Sequence, residues 1–225
     1  GRLLDAVRRR ERYVELDGRG YLELDEALRN HLALLADHVR PVGEQLELGP
    51  SASSALHALE RAGAQLDRDG VFCQLEARTS AAMALMPAVP SGLTSELRSY
   101  QIEGYRWLVR LAESAAGAIL ADDMGLGKTV QALALLLERS QRGPALVVVP
   151  TSVAFNWRAE AQRFAPGLTL RQYGAEPTSS GERRERAELL STLGPGEVVL
   201  VSYALLLRDR EAFAKVAFAT AIFDE

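Results

Sequence analysis

Residues Ala121-Asp-Asp-Met-Gly-Leu-Gly-Lys-Thr-Val-Gln131 decide how this chain is read. Gly125 and Gly127 free the backbone to turn its N–H groups inward. An apolar helix follows, and its N-terminus faces the same point, an arrangement that binds phosphate. Lys128 stands where an ammonium reaches the outer phosphates of a nucleotide, and Thr129 where a hydroxyl binds Mg2+. The strict pattern Gly-x4-Gly-Lys-Ser/Thr asks for glycine at 122, where this chain has Asp122. Asp122 and Asp123 either order the loop or face a metal's water shell; on the plainer reading they are solvated turn residues. A glycine-rich turn with a surface lysine does not account for strand, loop, Lys-Thr and helix falling together.

Lysine usage points the same way. Lys and Arg total 26, yet only Lys128 and Lys215 are lysine. The chain writes arginine almost wherever it wants positive charge, and keeps one of two lysines for the position after Gly-Leu-Gly. A compact ammonium on a flexible stem follows phosphates where a rigid guanidinium fork does not.

Working outward, apolar runs alternate with helical patterns. A helix over 99–112 leads to a short strand at 118–121, then the loop and a helix to about 138. Strand 145–149, helix 153–164, strand 169–173, a charged helix at 182–193, strand 198–201, helix 204–215 and strand 220–223 follow. This order predicts βαβ units and an α/β fold, with a parallel sheet covered on both faces. Ala-Leu-Val-Val-Val149 and Val-Val-Leu-Val201 are continuously apolar, as doubly buried strands are. The last strand ends in Asp224-Glu225. Ligands of parallel sheets bind at the carboxyl ends of strands, so Asp224 is expected to hold Mg2+ beside Thr129. Glu225 is expected to position or deprotonate an attacking water. The expected catalytic set is Lys128, Asp224 and Glu225.

The first 80 residues read as a small α+β region. Tyr13-Val-Glu-Leu and Tyr21-Leu-Glu-Leu flank Asp17-Gly-Arg-Gly20 as a hairpin. Asp25 caps a helix running to about Val39, a second helix covers 53–62, and Val71-Phe-Cys-Gln-Leu reads as a strand. Residues 81–92, uncharged with two prolines, read as a linker to a lobe at 93–225.

Composition bounds the rest. The chain has 225 residues, 48% hydrophobic and 25% charged, which are ordinary values for a globular protein of one or two domains. No run approaches the length of a membrane span. A lone Cys73 excludes an internal disulfide and fits a reducing cytoplasm. The net charge of −4 argues against a wholly basic nucleic-acid binder, though not against a local basic groove. The arginine and alanine bias suggests a bacterial source. His31, His38, His57 and Cys73 fit no usual metal-ligand spacing. Arg183, Arg184 and Arg186 among Glu182, Glu185 and Glu188 read as a solvated helix face rather than a DNA patch.

Four further segments narrow the class. Leu97-Arg-Ser-Tyr-Gln-Ile-Glu-Gly-Tyr-Arg-Trp-Leu108 precedes the loop, and Val147-Val-Val-Pro-Thr-Ser-Val-Ala-Phe-Asn-Trp157 follows it. Val198-Val-Leu-Val-Ser-Tyr203 and Ile222-Phe-Asp-Glu225 come next. In order and spacing they resemble the first RecA-like motor lobe of the Swi/Snf-type ATPases of helicase superfamily two, over about residues 93–225. The resemblance implies ATP and Mg2+ as cofactors and double-stranded DNA as partner. It implies Gln101 as an adenine-reading amide supported by Arg98 and Tyr100, with Met124, Gly125, Leu126, Gly127, Lys128, Thr129 and Val130 around the phosphates. It further implies Thr151, Ser152, Asn156, Trp157, Ser202 and Tyr203 on DNA phosphates, contacts that carry no sequence information. Trp107 and Trp157 read equally well as core aromatics. Ser99 and Val201 replace the family's usual proline and threonine. The family's later motifs and its second lobe, with arginine fingers, lie beyond residue 225, so this chain is expected to hydrolyse ATP poorly alone. The rival readings are a strand-separating or RNA helicase of the same superfamily, a non-catalytic interaction module, and an unrelated P-loop kinase or transporter. Residues 1–80 are expected to bind a protein partner or regulate the motor.

Overall fold

The computed structural model describes residues 2–15, 18, 20–36, 39–42, 45–48, 52–61, 69–115, 117–174 and 188–224. The chain divides into two compact units, Gly1–Ala84 and Leu85–Glu225.

The first unit contains α1 (Arg2–Arg8), the antiparallel hairpin β1 (Tyr13–Glu15) and β2 (Tyr21–Glu23), α2 (Glu26–Ala36), a second hairpin of β3 (Val39–Val42) and β4 (Gln45–Leu48), α3 (Ser53–Arg61) and α4 (Gly70–Met83). Leu4, Val14, Leu24, Leu32, Ala36 and Leu59 meet in its core. Asp25 caps α2 as expected, accepting from the Leu28 N–H at 2.7 Å. The described helix reaches Ala36, however, and Val39 is not part of it. Pro41 disfavours helical geometry at the residue before it, and Val39 enters a strand that pairs with Leu48. Val71–Leu75, expected as a strand, lies inside α4. The Asp69 carboxylate accepts from the Phe72 N–H at 2.6 Å and so starts a helix where four apolar residues around Gln74 suggest a strand. His57 sits between Glu60 at 3.4 Å and Glu76 at 2.9 Å. His38 lies outside the described residues.

The second unit is built on one four-stranded parallel sheet, ordered β6–β7–β5–β8. Its strands are β5 (Ala145–Val149), β6 (Thr169–Gln172), β7 (Glu197–Ser202) and β8 (Thr220–Phe223). Side chains alternate across a strand, and the core follows that alternation. Ala145, Val147, Val149, Val198 and Leu200 pack against α6 (Lys128–Arg139) and α7 (Ala154–Phe164). Leu146, Val148, Val199 and Val201 pack on the opposite side with Leu190, Phe213 and Tyr173. All five residues of β5 are buried, which explains their unbroken apolar run. The helix α5 (Ser99–Glu113) lies on α6 through Leu97, Tyr105, Leu108, Val130, Ala134 and Leu135. The α/β fold with a parallel sheet is therefore as the sequence implies.

Two local expectations change. Residues 117–123 form no strand; no neighbour pairs with them among the described residues, and Ile119 is 86% exposed. An apolar run acquires ladder hydrogen bonds only where a partner backbone is at hand. The helix expected at 204–215 is two short ones, α8 (Tyr203–Arg208) and α9 (Arg210–Phe213), separated at Asp209. Of the charged segment at 182–193, residues 182–187 lie outside the described residues and 188–191 are helical.

Candidate functional site

Parallel strands place their carboxyl ends on one edge of the sheet, and the candidate residues gather there. Val149 is level with Ser202, and Val148 with Phe223. Pro150-Thr151-Ser152, Ser202-Tyr203 and Asp224 thus follow three adjacent strands. The Asp224 N–H donates to the Val148 carbonyl at 2.9 Å, which carries the ladder one residue past β8 and fixes the aspartate. Glu225 lies outside the described residues.

The loop before α6 has the backbone its glycines permit. Gly125 has φ +85° and Gly127 φ +76°, left-handed values that cost other residues strain. Gly127 forms the N-cap of α6. A Cβ there would also lie 2.4 Å from Gln101 Nε2, so glycine is required twice over. Residues 121–126 are exposed and Met124 is 89% so, whereas Val130 is buried in the α5–α6 packing. The Lys128 ammonium donates to the carbonyls of Asp122 at 2.6 Å and Asp123 at 3.1 Å. The lysine therefore folds back over its own loop. Asp122 and Asp123 contribute to this through their backbones.

Gln101 is more deeply engaged than an open base-reading amide. It is buried; its Nε2 donates to the Leu126 carbonyl at 3.1 Å and its Oε1 accepts from the Arg98 N–H at 2.9 Å. Tyr100 Oη donates to the same Leu126 carbonyl at 3.3 Å. Both ends of the amide thus join the start of α5 to the phosphate loop. A base that paired with Gln101 would have to displace both bonds. Arg98 is exposed at the N-cap of α5. Gly104 allows a second close approach of α5 and α6, because a Cβ at 104 would lie 2.0 Å from Gln131 Oε1.

The residues expected on DNA divide into two groups. Thr151, Ser152 and Asn156 are exposed at the start of α7, beside Phe155, which is 76% exposed and which sequence reading passed over. Trp157 is only 3% exposed, and its indole Nε1 donates to Asp224 Oδ2 at 2.7 Å. Its side chain thus faces the carboxylate edge of the sheet, not an outside strand, because the period of α7 turns it inward. The Ser202 hydroxyl caps α8, accepting from the Leu205 N–H at 3.4 Å. Tyr203 Oη donates to the Asp224 carbonyl at 3.3 Å, with its ring 6.5 Å from that of Phe223. Trp107 is half-exposed on α5.

One participant carries no sequence motif. Glu160 lies on α7 one turn after Trp157 and is partly buried. Burial raises its pKa, the nearby Thr129 hydroxyl lowers it, and the charge of Asp224 adds to the rise. Thr129, Asp224 and Glu160 therefore share one locality, with Lys128 next to Thr129 in sequence. A hydroxyl and carboxylates form a hard, all-oxygen donor set suited to Mg2+. Only the i, i+3 relation to Trp157 on an amphipathic helix could have singled out Glu160.

Comparison with known proteins places these features in a wider group. Residues 100–225 match the model of the SNF2-related domain. Helicase SWR1 of Saccharomyces cerevisiae is 40% identical over 141 residues, 61% of this chain and 9% of that protein. The mouse chromodomain-helicase-DNA-binding protein 1-like is 40% identical over 142 residues, 60% of this chain and 15% of that protein. The solved SWI2/SNF2 ATPase core of Sulfolobus solfataricus in complex with dsDNA is similar with a TM-score of 0.53 at 32% identity, covering 63% of this chain and 28% of that one. The chain thus spans 9% and 15% of the length of the two curated relatives.

Proposed function

The chain belongs to the SNF2-related domain family of SWI2/SNF2 ATPases in helicase superfamily two, and from that premise we propose that residues 93–225 are the nucleotide-binding lobe of an ATP-dependent double-stranded DNA translocase. The observation that carries this reading is the meeting of two elements remote in sequence. Lys128 and Thr129 open α6 behind a left-handed Gly127, and the Thr129 hydroxyl is within reach of Glu160, whose charge environment includes Asp224 at the end of β8.

On this reading the Lys128 ammonium exchanges the carbonyls of Asp122 and Asp123 for the outer phosphates of ATP. The loop's N–H groups and the N-terminus of α6 receive the remaining phosphate charge. Thr129 and Asp224 hold Mg2+, which supplies charge neutralisation on the phosphates as the terminal group departs. Glu225 orients the attacking water. Gln101 acts first as a strut that ties α5 to the loop, and any adenine contact is secondary to that. Thr151, Ser152 and Asn156, exposed together at the start of α7, take the phosphates of one DNA strand. Trp157 does not, since it is turned onto Asp224. Residues 1–80 are assigned to a regulatory or partner-binding role.

The relative solved with dsDNA favours a duplex substrate over a single strand. ATP turnover by the full-length protein with duplex DNA, single-stranded DNA and RNA tests this. Stimulation by duplex, lost in Lys128→Ala, is expected. Stimulation by RNA or single strands alone would assign the protein to a strand-separating helicase.

A further inference from the structure

Resting on the nucleotide-site reading above, we propose that residues 85–97 are a strap that positions the phosphate loop, with Arg106 and Arg110 as positioning residues that act on it through α5. The sequence reads most of this segment as a linker. In the structure, side chains of α5 hold its carbonyls one after another. Arg110 Nε donates to the Leu85 carbonyl at 2.8 Å, Arg106 Nε to that of Pro87 at 3.2 Å, and Tyr105 Oη to that of Ala88 at 3.0 Å. The partners descend in number, so the strap runs back along α5 towards its start. The Leu93 N–H then donates to the Pro90 carbonyl at 3.0 Å in a turn, and Leu93 and Leu97 are buried in one cluster with Tyr105, Leu108 and Val130. Between them, the Thr94 N–H donates to the Phe164 carbonyl at 2.8 Å and the Thr94 hydroxyl to the Arg163 carbonyl at 2.6 Å, at the end of α7. The segment is thus fixed to three helices, α5, α6 and α7.

The other end of α5 holds the phosphate loop. Gln101 Nε2 and Tyr100 Oη both donate to the Leu126 carbonyl, at 3.1 and 3.3 Å. A planar trans peptide points its carbonyl and the following N–H apart. Fixing the Leu126 carbonyl on the α5 side therefore directs the Gly127 N–H to the other side of the loop, and that N–H is among the donors assigned to phosphate. One helix thus carries the strap on Tyr105, Arg106 and Arg110, and the loop on Tyr100 and Gln101. The two sets are joined by the continuous backbone hydrogen bonds of α5, so a shift at one end is passed to the other. With the strap bound, α5 keeps the position from which Gln101 reaches Leu126. With it released, that distance is no longer fixed, and nucleotide meets a loop that must first be ordered, which lowers affinity. Neither arginine needs to touch the nucleotide.

The test follows the route. A fluorescent ADP analogue is titrated in Mg2+ into the chain, well below its unfolding temperature, for wild type and for Arg106→Ala/Arg110→Ala. Both are then compared in a Tyr100→Phe/Gln101→Ala background, in which the loop is no longer tied to α5. Denaturant midpoints are recorded throughout. In the otherwise wild-type chain, loss of the two arginines is expected to weaken binding about fivefold or more. In the untied background it is expected to change binding by less than about twofold, while the loss of stability is similar in both. Residues that merely supported the fold would change affinity equally in both backgrounds, and that result overturns the proposal. Unchanged affinity in the otherwise wild-type chain overturns it too, while the nucleotide site stands. If wild type binds no analogue at all, the underlying site reading fails instead, and the proposal with it. Should the double arginine variant unfold, Arg110→Ala, at a partly exposed position, decides alone by the same comparison.

Discussion

The indole Nε1 of Trp157 and the Oδ2 of Asp224 are joined by a 2.7 Å hydrogen bond across 67 residues of sequence. It ties the first turn of α7, the helix after β5, to the end of β8, the strand that pairs with β5. Trp157→Phe keeps the ring and removes the donor, so the folded state is expected to lose about 1–2 kcal/mol. Trp157→Ala also empties a buried volume and is expected to lose about 3–5 kcal/mol. Denaturant midpoints at constant slope measure both. No loss in Trp157→Phe would mean that the hydrogen bond contributes nothing separate from packing.

Gly127 combines two constraints that can be separated. Gly127→Ala must hold φ near +76° and place a Cβ 2.4 Å from Gln101 Nε2. A loss of about 1–3 kcal/mol is expected. Adding Gln101→Ala removes the clash but not the backbone strain, so the double variant should be less destabilised than the sum of the two by at least about 0.5 kcal/mol. Strict additivity would show that Gln101 does not brace the loop in solution.

Gly104 offers a test of sign. Gly→Ala inside a helix ordinarily gains about 1 kcal/mol. Here the new Cβ would collide with the buried Gln131 Oε1 at 2.0 Å, an oxygen with no hydrogen-bond partner among the described residues. Gly104→Ala is therefore expected to destabilise by about 1–3 kcal/mol. The same substitution in a Gln131→Ala background should recover most of that. A stabilised single variant would contradict the close approach of α5 and α6.

Glu160 predicts a pH dependence. Burial first, and then the Asp224 charge, raise its pKa above its ordinary value, against the opposing effect of the nearby Thr129 hydroxyl. The folded chain thus retains this proton where the unfolded chain has released it. The carboxylate costs stability as pH rises through and above the raised value, and costs none below the unfolded value. Glu160→Gln removes the effect. In metal-free buffer the variant's Tm should gain on wild type as pH rises from about 4 to 7 and lose that advantage below. Because Glu160 is partly exposed, the gain is small; a difference that does not vary with pH would contradict the assignment.

Much of the second unit was legible in the residues. Ala145–Val149 announces a strand buried on both faces, and Gly125, Gly127, Lys128 and Thr129 announce the loop, because each demand is local. What was not legible depends on contacts distant in sequence. Ala118–Ala121 has the composition of a strand but no paired neighbour among the described residues. Val71–Leu75 belongs to a helix set by Asp69 two residues earlier. Gln101 looks like an open amide until Leu126 and the Arg98 N–H are brought to it. Trp157 carries a motif identity that says nothing of the face it occupies, and Glu160 carries no motif at all. Their shared face follows from the i, i+3 spacing; that this face turns toward Asp224 follows from the rotation of α7 against β8, which no spacing in the sequence encodes.

The central claim is that Lys128 and its loop bind the phosphates of a nucleotide. Isothermal titration of ATP in Mg2+ into the chain, beside Lys128→Ala, tests it most directly. The account predicts one site in the wild type and a loss of affinity of at least about tenfold in the variant, since a charge-assisted contact is worth about 1.5–3 kcal/mol. Equal binding by both, or none by the wild type, would contradict it.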